Sequence, residues 1–182
     1  MRLVKTLPFL LGLGAALGSA SAWSLPTDRD QPIHIQSDDA QLDDKKGVAT
    51  YKGNVIITQG SMKITGNTVT ITRNAQGEVD VFTSVGNLAY YEQKPAVDKP
   101  IVQAYAVTIQ YYAAQDRIVL IDKAKVINDG NTSEGEKIVY DTVKQIVNAG
   151  RANGGAKVTT PRPRIDMVIQ PKKKPDQPQK AQ

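Results

Sequence analysis

Asp38-Asp39 and Asp43-Asp44 crowd four carboxylates into seven residues, a density that would suit calcium. The stretch lacks the central glycine and terminal glutamate of a cation loop, and Lys45 and Lys46 neutralise half of its charge. It reads as a solvated hairpin rim, and no metal site is expected. His34, the one histidine, stands between Ile33 and Ile35, so on a strand it points away from both. A general base needs a partner within hydrogen-bond reach, and the sequence identifies none; His34 reads as a structural or surface residue. Without cysteine there is no disulfide, thiolate metal site or thiol nucleophile. No G-x-S-x-G elbow, phosphate loop, H-E-x-x-H or dinucleotide fingerprint occurs. The chain therefore predicts no catalytic residue and no cofactor. Glycosidase-type carboxylate pairs are visible only in three dimensions, which keeps a secreted glycan-active β-enzyme as an alternative.

The two ends have a chemistry of their own. Arg2 and Lys5 precede an apolar run from Leu7 to Leu17, and Ala20 and Ala22 fit a cleavage site. The run is too short to span ~30 Å of hydrocarbon. Residues 1–22 thus read as an export signal cut after Ala22, followed by a lead over 23–30. Loss of Arg2 and Lys5 lowers the net charge from +5 to +3. Lys172, Lys173, Lys174 and Lys180 against Asp176 account for that remainder, so the body from Trp23 to Gln170 is neutral. A nucleic-acid partner is not expected of a neutral body. The stretch 171–182 reads as a disordered basic tail.

What must position any site is a β-structure. After Ser24 the chain holds 31 Val plus Ile but only 4 Leu, and branched side chains suit a pleated surface. Thr68 to Thr72 and Val107 to Tyr111 alternate polar and apolar residues, which predicts strands. Turn signals recur at Lys46-Gly47, Lys52-Gly53-Asn54, Gln59-Gly60, Thr65-Gly66-Asn67, Gln76-Gly77, Gly86-Asn87, Asp129-Gly130, Glu134-Gly135, Ala149-Gly150 and Asn153-Gly154-Gly155. That spacing predicts many short antiparallel strands in one all-β domain over 31–170, with a longer connection at Pro95 to Pro100. Ile165 to Ile169 offers a last strand. A weak repeat sets Gly47 to Val55 against Ile118 to Val126, and Gly66-x-x-Val69-x-Ile71 against Gly135-x-x-Ile138-x-Tyr140. It predicts two similar sheet modules stacked along one axis. The apolar side of such sheets either closes as an ordinary core or leaves a trough for acyl chains, each CH₂ worth ~0.8 kcal/mol.

Ile33-His34-Ile35-Gln36-Ser37-Asp38, then Gly47-x-Ala49-x-Tyr51-x-Gly53-Asn54-Val55-x-Ile57-x-Gln59-Gly60 and Ile64-x-Gly66, resemble the OstA-like family. Gly86 to Tyr91, Ala106 to Tyr111 and Gly135-x-x-Ile138-x-Tyr140 continue the likeness, which covers Gln31 to Thr160. The resemblance implies a β-jelly-roll, a twisted open stack shaped like a V, whose apolar trough carries the acyl chains of lipid A. It implies a periplasmic, non-enzymatic lipopolysaccharide carrier in outer-membrane biogenesis. The implied partners are lipopolysaccharide, an LptC-like inner-membrane protein, the N-terminal domain of an LptD-like outer-membrane protein, and further copies joined end to end. A structural or binding module of the same fold, LptC-like or LptD-like, is the alternative. Strand parity then proposes the trough-facing set: Ile33 with Ile35, Val55 with Ile57, Val69 with Ile71, Leu88 with Tyr90, and Ile109 with Tyr111. The family's end-to-end edges match Gln31, Ile33, Ile35 and Gln36 at one end, and Val147 and Val158 at the other.

Overall fold

A computed structural model describes residues 28–150 and 164–171. The export signal, the lead before Asp28, Val158, the Asn153-Gly154-Gly155 signal and the tail beyond Pro171 lie outside the described residues.

One ten-stranded antiparallel sheet contains the whole described fold. At one end, β1 (His34–Gln36) and β2 (Asp39–Asp43) both pair with β3 (Val48–Gln59). The sheet then runs in chain order through β4 (Met62–Arg73), β5 (Val79–Gln93), β6 (Val102–Tyr112), β7 (Arg117–Asn128) and β8 (Asn131–Asp141). At the other end, β9 (Ile146–Gly150) and β10 (Asp166–Val168) both pair with β8. Short 3-10 turns occupy Asp28–Asp30 and Ala113–Gln115. Asp129-Gly130 joins β7 to β8 with both residues at positive φ, 50° and 75°, the primed turn whose twist matches that of the strands.

Four of the turn signals turn nothing, and the expected many short strands are instead six central strands of 11 to 15 residues. Gly53-Asn54 lies inside β3, Gly66-Asn67 inside β4, Gly86-Asn87 inside β5 and Gly135 inside β8. At each the ladder register slips, between Lys52 and Val55, between Thr65 and Thr68, between Val85 and Ala89, and opposite the slip between Ile121 and Ala124. The slip between Tyr105 and Thr108 completes a line of irregularities across the sheet. Left-handed backbone at Gly53 (φ 77°), Asn54 (45°), Asp122 (63°) and Lys123 (53°) marks it. Bulges bend a strand and increase its twist, and here the bends coincide, so the sheet folds along this seam. One half carries β1 and β10, the other β2 and β9.

The inner faces of both halves share one core. Val55, Ile57, Ile64, Val69, Phe82, Tyr91, Ile109, Leu120 and Ile138 are all inaccessible to solvent. Each such side chain contributes about 1.5–3 kcal/mol when buried. Ser84 is the polar exception on the seam, and its hydroxyl donates to the Thr65 carbonyl at 2.9 Å.

The repeat is carried by the β3–β4 and β7–β8 hairpins. Arg117 stands 69 positions after Val48, and Asn131 stands 69 after Met62. This offset superposes Gly53-Asn54 on Asp122-Lys123, the two left-handed pairs. The sequence alignment of Gly47 to Val55 with Ile118 to Val126 is therefore two residues out. The hairpins also belong to one folded sheet, where two stacked modules were expected.

Candidate functional site

The folded sheet encloses an apolar interior, and eight of the ten residues expected to line it do so. Val55, Ile57, Val69, Ile71, Ile109 and Tyr111 are buried there, while Ile33 and Ile35 are partly buried against its β1 end. Leu88 and Tyr90 are the corrections: both lie on the outer face. Phe82 and Ser84 point inward by strict alternation, but the slip between Val85 and Ala89 shifts the parity by one. The inward residues beyond it are Ala89 and Tyr91, both fully buried. The Gly86-Asn87 signal was present in the sequence, but a turn and a bulge are written with the same residues. Outside, the Tyr90 hydroxyl donates to Glu92 Oε2 at 2.5 Å and accepts from Gln103 Nε2 at 3.1 Å, and its ring lies 5.0 Å from that of Tyr105.

Inside, an aromatic row runs from Phe82 to Tyr111 (6.0 Å between centroids) and on to Tyr91 (5.8 Å). The Tyr91 hydroxyl donates to Gln93 Oε1 at 2.5 Å. Burial, seconded by neighbouring Tyr111, pushes the Tyr91 phenol well above its ordinary range. Burial and the charge of Asp116 push Tyr111 up as well. Both stay neutral phenols, so the row presents apolar ring faces without charge. A surface of this kind offers hydrocarbon a place out of water and offers ions nothing.

The interior has openings. At the β1 end a cavity of about 230 Å³ is lined by Ile33, Ile35, Leu42, Ala49, Tyr51, Ile71 and Val79. On the side opposite the seam, where strand ends of the two halves come together, a cavity of about 930 Å³ reaches Tyr111. Asp28, Arg29, Ser61, Gln93, the 94–99 loop, Asp116 and Thr142 also border it. Asp28, Arg29 and Asp116 carry no pattern that would have singled them out in the sequence.

Of the residues expected at the end-to-end edges, Gln31 gives its carbonyl to Gln59 Nε2 (3.0 Å), and Gln36 is exposed on β1. Val147, opposite Tyr140, is half-buried at the far end of the core. Among the described residues, β1, β2, β9 and β10 each have a strand partner on one side only. The carboxylates of the 38–44 stretch do local work: Asp38 accepts from Asn54 Nδ2 at 3.3 Å, and Asp43 pairs with Lys46 at 3.1 Å. His34 is exposed. Among the described residues no group of three or more His, Asp or Glu is placed to hold a metal ion.

Comparison with known proteins gives concordant matches. The family model described as LptA/(LptD N-terminal domain) LPS transport protein matches residues 34–146. The lipopolysaccharide export system protein LptH of Pseudomonas aeruginosa is 66% identical over 174 residues, covering 96% of this chain and 99% of that protein. The lipopolysaccharide export system protein LptA of Escherichia coli K12 is 35% identical over 157 residues, covering 85% of this chain and 83% of that protein. The crystal structure of LptH from Pseudomonas aeruginosa, described as the LptA-homologous periplasmic component of the lipopolysaccharide transport device, superposes with a TM-score of 0.73 at 65% identity. That match covers 80% of this chain and 100% of that chain.

Proposed function

The chain belongs to the LptA/LptD N-terminal-domain family of lipopolysaccharide transport proteins, and from that premise we propose that it is a periplasmic carrier and bridge for lipopolysaccharide. It shields the acyl chains of lipid A in the interior between the sheet halves while the polar headgroup stays in water. The observation that carries this reading is the interior itself: apolar but for the Ser84 hydroxyl, lined by neutral phenols, and ending at both sheet edges in half-buried residues. Ile33, Ile35 and Tyr51 stand at one such end, Val147 and Ala149 at the other. At ~0.8 kcal/mol per CH₂, a dozen buried methylenes supply on the order of 10 kcal/mol toward holding a chain out of water.

The acyl chains enter as a guest among side chains that already touch, so loading spreads the two halves apart about the seam as a hinge. Ile33, Ile35, Val55, Ile57, Val69, Ile71, Ile109 and Tyr111 line the path, joined by Ala89 and Tyr91 in place of Leu88 and Tyr90. The reaction is transfer without bond-making, and no cofactor or turnover belongs to it; the relatives carry the names of transport proteins.

The single-sided edges support assembly by strand addition, in which one sheet continues into the next. The edge strands of one copy meet those of a second copy, of an LptC-like inner-membrane protein, or of the N-terminal domain of an LptD-like outer-membrane protein. Gln31, Ile33, Ile35 and Gln36 act at one end, Val147 and Val158 at the other. Export through residues 1–22 delivers the chain to the compartment where this occurs.

Photo-crosslinking in intact cells tests the reading, with the probe placed at Ile33, Tyr91, Tyr111, Tyr90 and Thr108 in turn. Lipopolysaccharide adducts are expected at the first three positions and absent at the last two. Adducts at none of the five in a folded, exported protein would overturn the carrier role.

A further inference from the structure

The folded sheet has a spine and a slit. The spine is the seam of bulges; the slit lies opposite, where strand ends of the two halves meet beside Tyr111. One short piece of chain crosses it. Asp28 is moored to the half that carries β1: its carboxylate accepts from the Ser61 N–H and hydroxyl, each at 2.7 Å, and from Gln93 Nε2 at 2.7 Å. Gln59 Nε2 donates to the carbonyls of Arg29 and Gln31 at 3.1 and 3.0 Å, which fastens the same stretch from below. A Cβ at Gly60 would collide with the Asp28 carboxylate, so the absence of a side chain there gives the mooring its room.

Arg29, the next residue, reaches the other half and pairs with Asp116. Asp116 is itself fixed to that half, because its carbonyl accepts from the Thr142 N–H at 2.8 Å and the Thr142 hydroxyl at 3.0 Å. The strap is thus tied on one side by three hydrogen bonds to the Asp28 carboxylate and two from Gln59, and on the other by Arg29 alone, which pairs with Asp116 and hydrogen-bonds the Tyr111 hydroxyl. The two sides differ in strength. Five hydrogen bonds must break together on the first side, whereas on the second Arg29 and Asp116 are 43% and 33% exposed, and a pair that opens to water holds weakly. Under strain the Arg29 contacts part first, and the strap stays with the half that carries β1.

The slit beneath is suited to an apolar guest. Its two lips carry exposed valines, Val97 (62%) from the β5–β6 loop and Val143 (72%) from the β8–β9 turn. Both border the cavity of about 930 Å³ that leads to Tyr111, an interior residue. We propose that residues Asp28 and Arg29 form a gate: parting of Arg29 from Asp116 opens the slit and admits an acyl chain sideways past Val97 and Val143, and re-pairing closes the wall behind it. That the chain belongs to lipopolysaccharide rests on the carrier reading; that the strap controls entry of an apolar molecule does not.

The test follows entry of two probes into the purified protein: the apolar dye 1-N-phenylnaphthylamine, bright only out of water, and lipopolysaccharide. Arg29→Glu is expected to speed dye entry about threefold to fivefold, the equilibrium worth of an exposed pair. The exchanged pair, Arg29→Glu with Asp116→Arg, returns it to the original rate. Because the chain has no cysteine, Arg29→Cys with Asp116→Cys can be joined by a reducible bis-maleimide. The joined protein is expected to take up dye at least about tenfold more slowly, and reduction to restore it. Unchanged dye entry in both Arg29→Glu and the joined protein, each with a native melting profile, overturns the gate and leaves the strap a structural tie. Dye entry that follows the strap while lipopolysaccharide is never taken up upholds the gate and removes the carrier reading.

Discussion

Tyr91 and Tyr111 lie 5.8 Å apart between ring centres, yet no ladder pairs them: Tyr91 is opposite Ala104 on the neighbouring strand, and Tyr111 opposite Phe82. The contact crosses the interior from one half of the folded sheet to the other. It exists because the seam brings together strand portions that a flat sheet would hold far apart. Tyr90, one residue away, faces outward and packs on Tyr105. Tyr91→Ala is therefore expected to cost about 3–5 kcal/mol and Tyr90→Ala about 1 kcal/mol, read from urea unfolding midpoints at constant slope. A larger loss at Tyr90 than at Tyr91 would mean that the inner and outer faces of β5 have been exchanged.

The seam itself can be probed at Gly66. A Cβ there would overlap the Ser84 hydroxyl and lie 3.0 Å from the Val85 carbonyl oxygen. Ser84 would have to give up its bond to Thr65 in a place without water. Gly66→Ala is expected to destabilise by about 2–4 kcal/mol. Gly77 serves as the comparison: its φ of 83° strains an alanine, but nothing lies within 4 Å, so Gly77→Ala should cost only ~1 kcal/mol. A smaller loss at Gly66 than at Gly77 would show that the bend does not depend on close approach.

The interior phenols make stability fall at high pH. Burial raises Tyr91 and Tyr111 above the ordinary tyrosine range, so the folded state keeps protons that the unfolded chain releases. The stability they confer is complete below a pH of about 10 and declines as pH climbs from there through their raised folded values. Phenolate absorbance should accordingly report the exposed tyrosines first and the interior ones only together with unfolding. Tyr91→Phe should flatten the alkaline decline, and a decline of unchanged steepness would assign it elsewhere.

The sequence made the fold class legible through its branched residues and alternation, and the family through the Gly47 to Gly66 pattern. It also placed eight of ten lining residues on the correct face, since Val55 with Ile57, Val69 with Ile71 and Ile109 with Tyr111 each lie on one side of the seam. It misplaced Leu88 and Tyr90 because they follow a bulge, and Gly-Asn is equally the signature of a hairpin turn and of a bulge. Only pairing with β6 separates the two readings, and that is a non-local fact. The Arg29–Asp116 tie is non-local in the same way, as 86 intervening residues must fold before the two side chains meet.

Assembly has a test that rests on the two ends being different. Ile33 and Val147 cap opposite ends of the interior, each half-buried, Ile33 beside the edge strand β1 and Val147 within the edge strand β9, both paired on one side only. A head-to-tail contact uses one end of each copy, so it propagates without limit, whereas a two-fold contact would consume the same end twice. Ile33→Lys and Val147→Lys should each shift the purified protein to monomers in sedimentation velocity, with little change in unfolding midpoint, because a lysine at a half-buried rim extends into water. Mixed together, the two variants still present one intact pair of ends: the Val147 end of the first variant and the Ile33 end of the second. The mixture should form dimers and nothing longer. Dimers in either variant alone would indicate a two-fold contact, and a mixture that stays monomeric would place the contact away from these ends.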